Sequence, residues 1–107
     1  MAGMYCMADL LNLLLREGAE ELRLETGKPL EMVLRGQSRV LDLDQPPLTI
    51  DHVTELLKAV ANPAQMKELE HCGDVRFNHT AQHSERFGVT ASLKRENMIL
   101  RLRNLGK

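Results

Sequence analysis

His79 and His83 stand four residues apart, and His71-Cys72 lies just upstream, so the imidazole and thiol groups of a soft-metal site occur within one stretch. That spacing brings two imidazoles together on a helix, but here it straddles a strand end and a polar loop, and no metal ligand set is expected. Ser38, Ser84 and Ser92 have no nucleophile motif around them, and the His83-Ser84 neighbours lack the orienting third group of a catalytic constellation, so no catalytic residue is assigned. The glycine-rich GxxxxGK[ST] loop that cradles nucleotide phosphates is absent, and the chain cannot hydrolyse ATP in that manner by itself. What remains is recognition. Arg86, Lys94, Arg95, Arg101 and Arg103 fall on two expected neighbouring strands and their turn, and a planar guanidinium donates two hydrogen bonds at once to a phosphate or carboxylate. The competing reading is a solvated strand face paired with glutamates such as Glu85 and Glu96.

The elements that must position these residues follow from the hydropathy pattern. Between Met4 and Arg16 the apolar residues fit a broad helical stripe, with Asp9, Asn12 and Arg16 on the other side and Gly18 as the stop. Residues Glu21 to Glu25 alternate as a strand, Leu30 to Arg35 form a second, and a tight turn at Gly36-Gln37 leads into a third from Arg39 to Leu43. Pro46-Pro47 lacks amide donors and takes the chain out of the sheet. Thr49 is placed to cap a helix carrying Ile50, Val53, Leu56, Leu57 and Val60 on one side. Asn62-Pro63-Ala64-Gln65 has the form of a capping box, opening a second helix with Met66 and Leu69 inward and Gly73 at its end. Strands follow over Asp74–His79, Glu85–Leu93 and Met98–Leu102, with a polar loop from Thr80 to Ser84 and a turn at Lys94–Asn97. The order α-βββ-αα-βββ predicts an α+β fold, an antiparallel sheet of about six strands with helices on one face.

Composition bounds the function. A chain of 107 residues, 43% of them hydrophobic, predicts one domain, 1–107, that folds without disulfide or metal. With no Trp, one Tyr and two Phe, its core must be aliphatic, and base-stacking nucleic-acid recognition is excluded as the leading class. A net charge of −1 provides no bulk field toward nucleic acid or an anionic membrane. Cys6 and Cys72, far apart and outside any CxxC pattern, read as free thiols of a reducing cytosol. The segment Met1–Leu15 lacks a basic leader region and is too short to span a bilayer.

Several short stretches, in order, resemble the amino-terminal domain of the PilT/GspE family of twitching-motility and type II secretion ATPases, over about nine-tenths of the chain. Gly18-Ala19-Glu20-Glu21-Leu22-Arg23-Leu24 is similar to the family's GAsDLHL. Gly27-Lys28-Pro29 with Gly36 looks like GxPPxxRxxG, and Pro47-Leu48-Thr49 looks like its PLT-initiated helix. Gln65 to Glu70 resembles QxxxLE, Asp74 to Asn78 resembles DFSF, Arg86-Phe87 opens a stretch like RFRVN, and Leu102 to Gly106 is similar to FRxIP.

The resemblance implies a PAS-like sheet beside an ATPase domain, packed across subunits of a hexameric ring. It also implies two arginines, fifteen residues apart, that reach toward nucleotide phosphate; the matching positions here are Gly88 and Arg103, so one of the pair is missing. Further departures are Arg23 for the family's His, Glu21 for its Asp and Val33 for its Arg. The expected function is therefore a non-catalytic assembly or regulatory domain, cytoplasmic and without a cofactor. It would belong either to a longer, divergent ATPase or to a solitary adaptor of a type IV pilus or secretion machine. Arg103, Arg86 and Arg101 are the expected contacts with a neighbouring domain or bound nucleotide. The alternatives are a PAS-like small-ligand sensor and an adaptor that dimerises through its first helix.

Overall fold

The computed structural model describes residues 6–40, 48–81 and 84–106. Helix α1 spans Met7–Glu17 and ends at Gly18, where the Ala19 amide donates back to the Leu14 carbonyl at 3.1 Å. Strands β1 (Glu21–Glu25), β2 (Glu31–Leu34) and β3 (Gln37–Val40) form the first meander. Its second turn is Arg35-Gly36, one residue earlier than the sequence implies, with φ of 53° and 78°. Two successive left-handed residues give the mirror-image turn whose twist matches a hairpin, and the glycine makes the second of them inexpensive. The expected third strand began at Arg39; β3 starts two residues sooner, and Leu41–Leu43, like Met4, Pro46-Pro47 and His83, lie outside the described residues.

Helix α2 (Ile50–Lys58) is capped by the Thr49 hydroxyl, which accepts the His52 amide at 3.1 Å. Helix α3 (Pro63–Cys72) opens on the anticipated box: Gln65 N–H donates to Asn62 Oδ1 at 2.8 Å, and Asn62 N–H to Gln65 Oε1 at 2.9 Å. It stops at Gly73, whose φ of 84° disfavours any residue with a Cβ and turns the chain directly into β4 (Asp74–Thr80). Strands β5 (Arg86–Lys94) and β6 (Asn97–Gly106) complete the second meander. Strand β6 runs four residues past its expected end because it pairs on both sides, with β5 and with β1, and the two ladders hold it extended.

All six strands join in one antiparallel sheet of order β3-β2-β1-β6-β5-β4, so the first and last strands lie side by side at its centre. Alternation then sorts the two faces. Leu22, Leu24, Leu100, Leu102, Phe87 and Val89 point to the inner face with essentially no exposure, and α1, α2 and α3 close over them with Leu10, Leu14, Val53, Leu57 and Leu69. Each such aliphatic side chain contributes about 1.5–3 kcal/mol of burial, so the inner face holds the molecule together. The leucines of α1 are used here, in the chain's own core. The sheet's other face has no helix against it among the described residues. No helix among them is long and apolar enough to cross a membrane.

The open sheet face as candidate docking site

Register places the outward side chains of the sheet in rows. One row runs Ser38, Val33, Glu21, Arg103, Gly88, Asn78 from β3 to β4, each the direct cross-strand partner of the next. The next row runs Val40, Glu31, Arg23, Arg101, Thr90, Arg76. Four arginines therefore gather on the open face of β1, β6 and β4. Sequence reasoning identified Arg101 and Arg103 but not Arg76, which only the register of β4 against β5 brings beside them. The alternation of Asp74, Arg76 and Asn78, exposed in the strand, was the signal that could have placed Arg76 on the outer face.

Glu21 is the acid at the centre. Its Oε2 accepts from Arg23 Nε at 2.6 Å, and its Oε1 lies 4.0 Å from Arg103 Nε, while the carboxylate side chain is only 14% exposed. The hydrogen bond to Glu21, and next the charge of Glu21, raise the Arg23 pKa above its ordinary value, so this guanidinium stays charged. The glutamates that face the arginines across strands are thus Glu21, opposite Arg103, and Glu31, opposite Arg23, rather than the Glu85 or Glu96 considered from sequence. Arg76 and Arg101 form no ion pair or side-chain hydrogen bond among the described residues. Arg86 stands exposed at the first residue of β5, opposite Thr80 and Gly106, at the end of the sheet.

Two shallow depressions mark the face. One, of about 450 Å³, is lined by Glu21, Arg23, Val33 and Arg103, together with the loop Gly18–Glu20 and Asn104. The loop is fixed by backbone bonds, Glu20 N–H to the Val33 carbonyl at 2.9 Å and Asn104 N–H to the Glu20 carbonyl at 3.0 Å. The other, of about 280 Å³, has Gly88 and Thr90 as floor, Arg76, Arg101 and Arg103 around it, and Leu105 as a wall. Strand β6 carries one extra residue, Leu105, between the pairs Phe87–Asn104 and Arg86–Gly106, a β-bulge at the sheet's end. A Cβ on Gly88 would stand 3.6 Å from Leu105 Cδ1 and 3.8 Å from Arg103 Cβ, so the missing side chain leaves an opening on that floor. Each position singled out by its departure from the family motifs, Glu21, Arg23, Val33 and Gly88, borders Arg103 or Glu21 on this single patch.

A further depression, about 520 Å³, is on the helical side, where Met7, Leu11, Leu15, Val60 and Phe87 meet the polar groups of Asn12, His79 and Glu85. His71 and Cys72 are exposed at the end of α3, and both Cys6 and Cys72 are free thiols. Among the described residues no three His, Cys, Asp or Glu side chains gather as a metal site would require.

No protein-family model matches the sequence, and no curated protein matches it either. Solved structures do. The pilus retraction motor PilT, crystallised with bound ADP, superimposes with a TM-score of 0.82 at 24% identity, over 94% of this chain and 29% of that one. The Legionella pneumophila ATPase DotB gives a TM-score of 0.78 at 14% identity, over 97% of this chain and 30% of its own. The Yersinia pseudotuberculosis ATPase DotB gives 0.64 at 13% identity, over 97% and 32%. The likeness is one of fold, and the chain spans about 30% of the length of these ATPases. It falls on the same group of proteins that the sequence motifs resemble.

Proposed function

We propose that this chain is the amino-terminal domain of a PilT/GspE-type ATPase, or a solitary relative of that domain, and that it acts by docking rather than by chemistry. In this reading it is a single cytoplasmic domain that packs its open sheet face on an ATPase core or a neighbouring subunit of a hexameric ring. It thereby assists assembly or regulates turnover in a type IV pilus or type II secretion machine. Arg103 and Arg101 face that neighbour or its bound nucleotide from the centre of the sheet, and Arg86 from its end. The observation that carries the reading is the sheet's bare face, which collects the exposed arginines and the motif positions while the helices seal the opposite one. Arginine beside exposed apolar side chains is the composition of an interface.

The test adds the domain to a PilT-type ATPase core that lacks its own first domain and follows co-elution and ATP turnover. Association with altered turnover is expected, and Arg103→Ala should diminish the change in turnover while its thermal midpoint stays close to wild type. Failure to associate, or an equal effect of the variant, refutes the role.

A second reading rests on the helical-side depression of about 520 Å³, a volume within the range of small-ligand pockets. A PAS-like sensor would show a ligand-dependent rise in thermal midpoint, abolished by filling the depression with Ala8→Phe. The dimerising adaptor is disfavoured on packing grounds, because α1 buries Leu10, Leu11 and Leu14 in its own core.

A further inference from the structure

We propose that the depression floored by Gly88 and Thr90 is a carboxylate-binding interface, in which Arg76, Arg101 and Arg103 receive an acidic and partly apolar surface of a partner protein. The inference rests on reading the open face as a docking surface and specifies the chemistry of what docks there.

Charge comes first. Glu21 is the one acid lining this depression, and its shorter contact is committed to Arg23 at 2.6 Å, which leaves Arg103 at the 4.0 Å limit of an ion pair. Arg76 and Arg101 have no carboxylate partner among the described residues, and Arg101 directly faces the like charge of Arg23. Like charges paired across strands are destabilising, so an incoming anion relieves a repulsion that the free domain carries.

Spacing and donor type favour carboxylates of a protein over a lone phosphate. Arg101 and Arg103 are two residues apart on one strand, about 7 Å, and Arg76 is two strands from Arg101, roughly 10 Å, so the cations span several anionic groups. Phosphate sites are commonly built on free backbone amides at helix starts or nests. Here the strands' amides serve the ladders, and the outward donors are side chains, the guanidinium forks with Asn78 and Thr90 between them. Guanidinium forks match carboxylates in bidentate fashion.

Apolar surface completes the argument. The two large hydrophobic side chains most exposed among the described residues, Val40 at 59% and Leu105 at 42%, both belong to this face, and Leu105 walls the depression itself. A phosphate gains nothing from them; a protein surface with leucine beside glutamate does.

The probe is a blocked Leu-Glu-Leu-Glu-Leu-Glu peptide, titrated into labelled domain while the arginine Nε–H and leucine methyl NMR signals are followed. Binding should shift Arg76, Arg101 and Leu105 and weaken as salt rises. Replacing its glutamates by glutamine, or using the Arg76→Gln/Arg101→Gln domain, should weaken it by about tenfold or more, the equivalent of one charge-assisted bond. Arg101→Lys, which keeps the charge and loses the fork, should fall between. The proposal is overturned if inorganic phosphate or ATP binds these arginines more tightly than the peptide, if the double variant binds as wild type, or if the peptide leaves the face unshifted. Peptide failure with retained association to the ATPase core defeats this inference alone, whereas loss of core association with peptide binding intact defeats the docking reading beneath it.

Discussion

Glu21→Gln separates the stabilising role of the central carboxylate from the binding role of the arginines around it, because the two respond with opposite signs. The substitution keeps volume and an acceptor but turns the 2.6 Å ion-paired bond from Arg23 into one from the cation to a neutral amide oxygen. With Glu21 14% exposed and Arg23 41% exposed, solvent screens part of the interaction, and its loss costs about 1 kcal/mol. The Arg103 contact, at 4.0 Å with that side chain 65% exposed, adds little. Repulsion between Arg23 and Arg101, direct partners in register and then offset only by Glu31 on the other side of Arg23, adds up to about 1 kcal/mol. The sum, about 1–2 kcal/mol, lowers the thermal midpoint by roughly 5–10 °C at this chain length. Melts followed by circular dichroism at low salt and at about 1 M salt supply the assay, since the screening length shrinks from about 10 Å to about 3 Å and the deficit should narrow. Affinity for the acidic peptide should rise in the same variant. An unchanged midpoint at low salt, or a deficit that widens with salt, refutes Glu21 as the electrostatic centre of the face.

Asn62→Ala removes one half of the α3 capping box and should lower stability by about 1 kcal/mol in a denaturant titration, with the m-value unchanged. Leu100→Ala empties a fully buried site on a central strand and should cost about 3–5 kcal/mol, enough to broaden or abolish the unfolding transition. Gly88→Arg should be nearly neutral, with the thermal midpoint within about 5 °C: the backbone there is not left-handed, the new Cβ meets only ordinary contacts, and the gain of a side chain in a strand offsets repulsion from Arg103. Unfolding of that variant would show that the opening on the floor is required by packing.

The helices and their ends were legible because capping is local chemistry: Thr49, the Asn62–Gln65 box and Gly73 each satisfy backbone groups within a few residues. The α+β order followed from strand alternation for the same reason. The turn between β2 and β3 was displaced by one residue because Arg35, a residue type with no preference for positive φ, takes the left-handed position before Gly36. Strand order was not legible, since pairing β1 with β6 joins residues some eighty positions apart and no local pattern encodes it. The site suffered the same loss. Arg101 and Arg103 stood out as a basic run on one strand, while Arg76 and Glu21 join them only through the registers of β4, β5, β6 and β1.

The most direct test of the account is an amide and arginine NMR map of the labelled domain as an unlabelled PilT-type ATPase core is added. Docking by the open face predicts perturbations concentrated at Arg76, Gly88, Thr90, Arg101, Arg103 and Leu105, with the outer surfaces of α1, α2 and α3 unaffected. Perturbations confined to the helices, with those six residues unmoved, would contradict it.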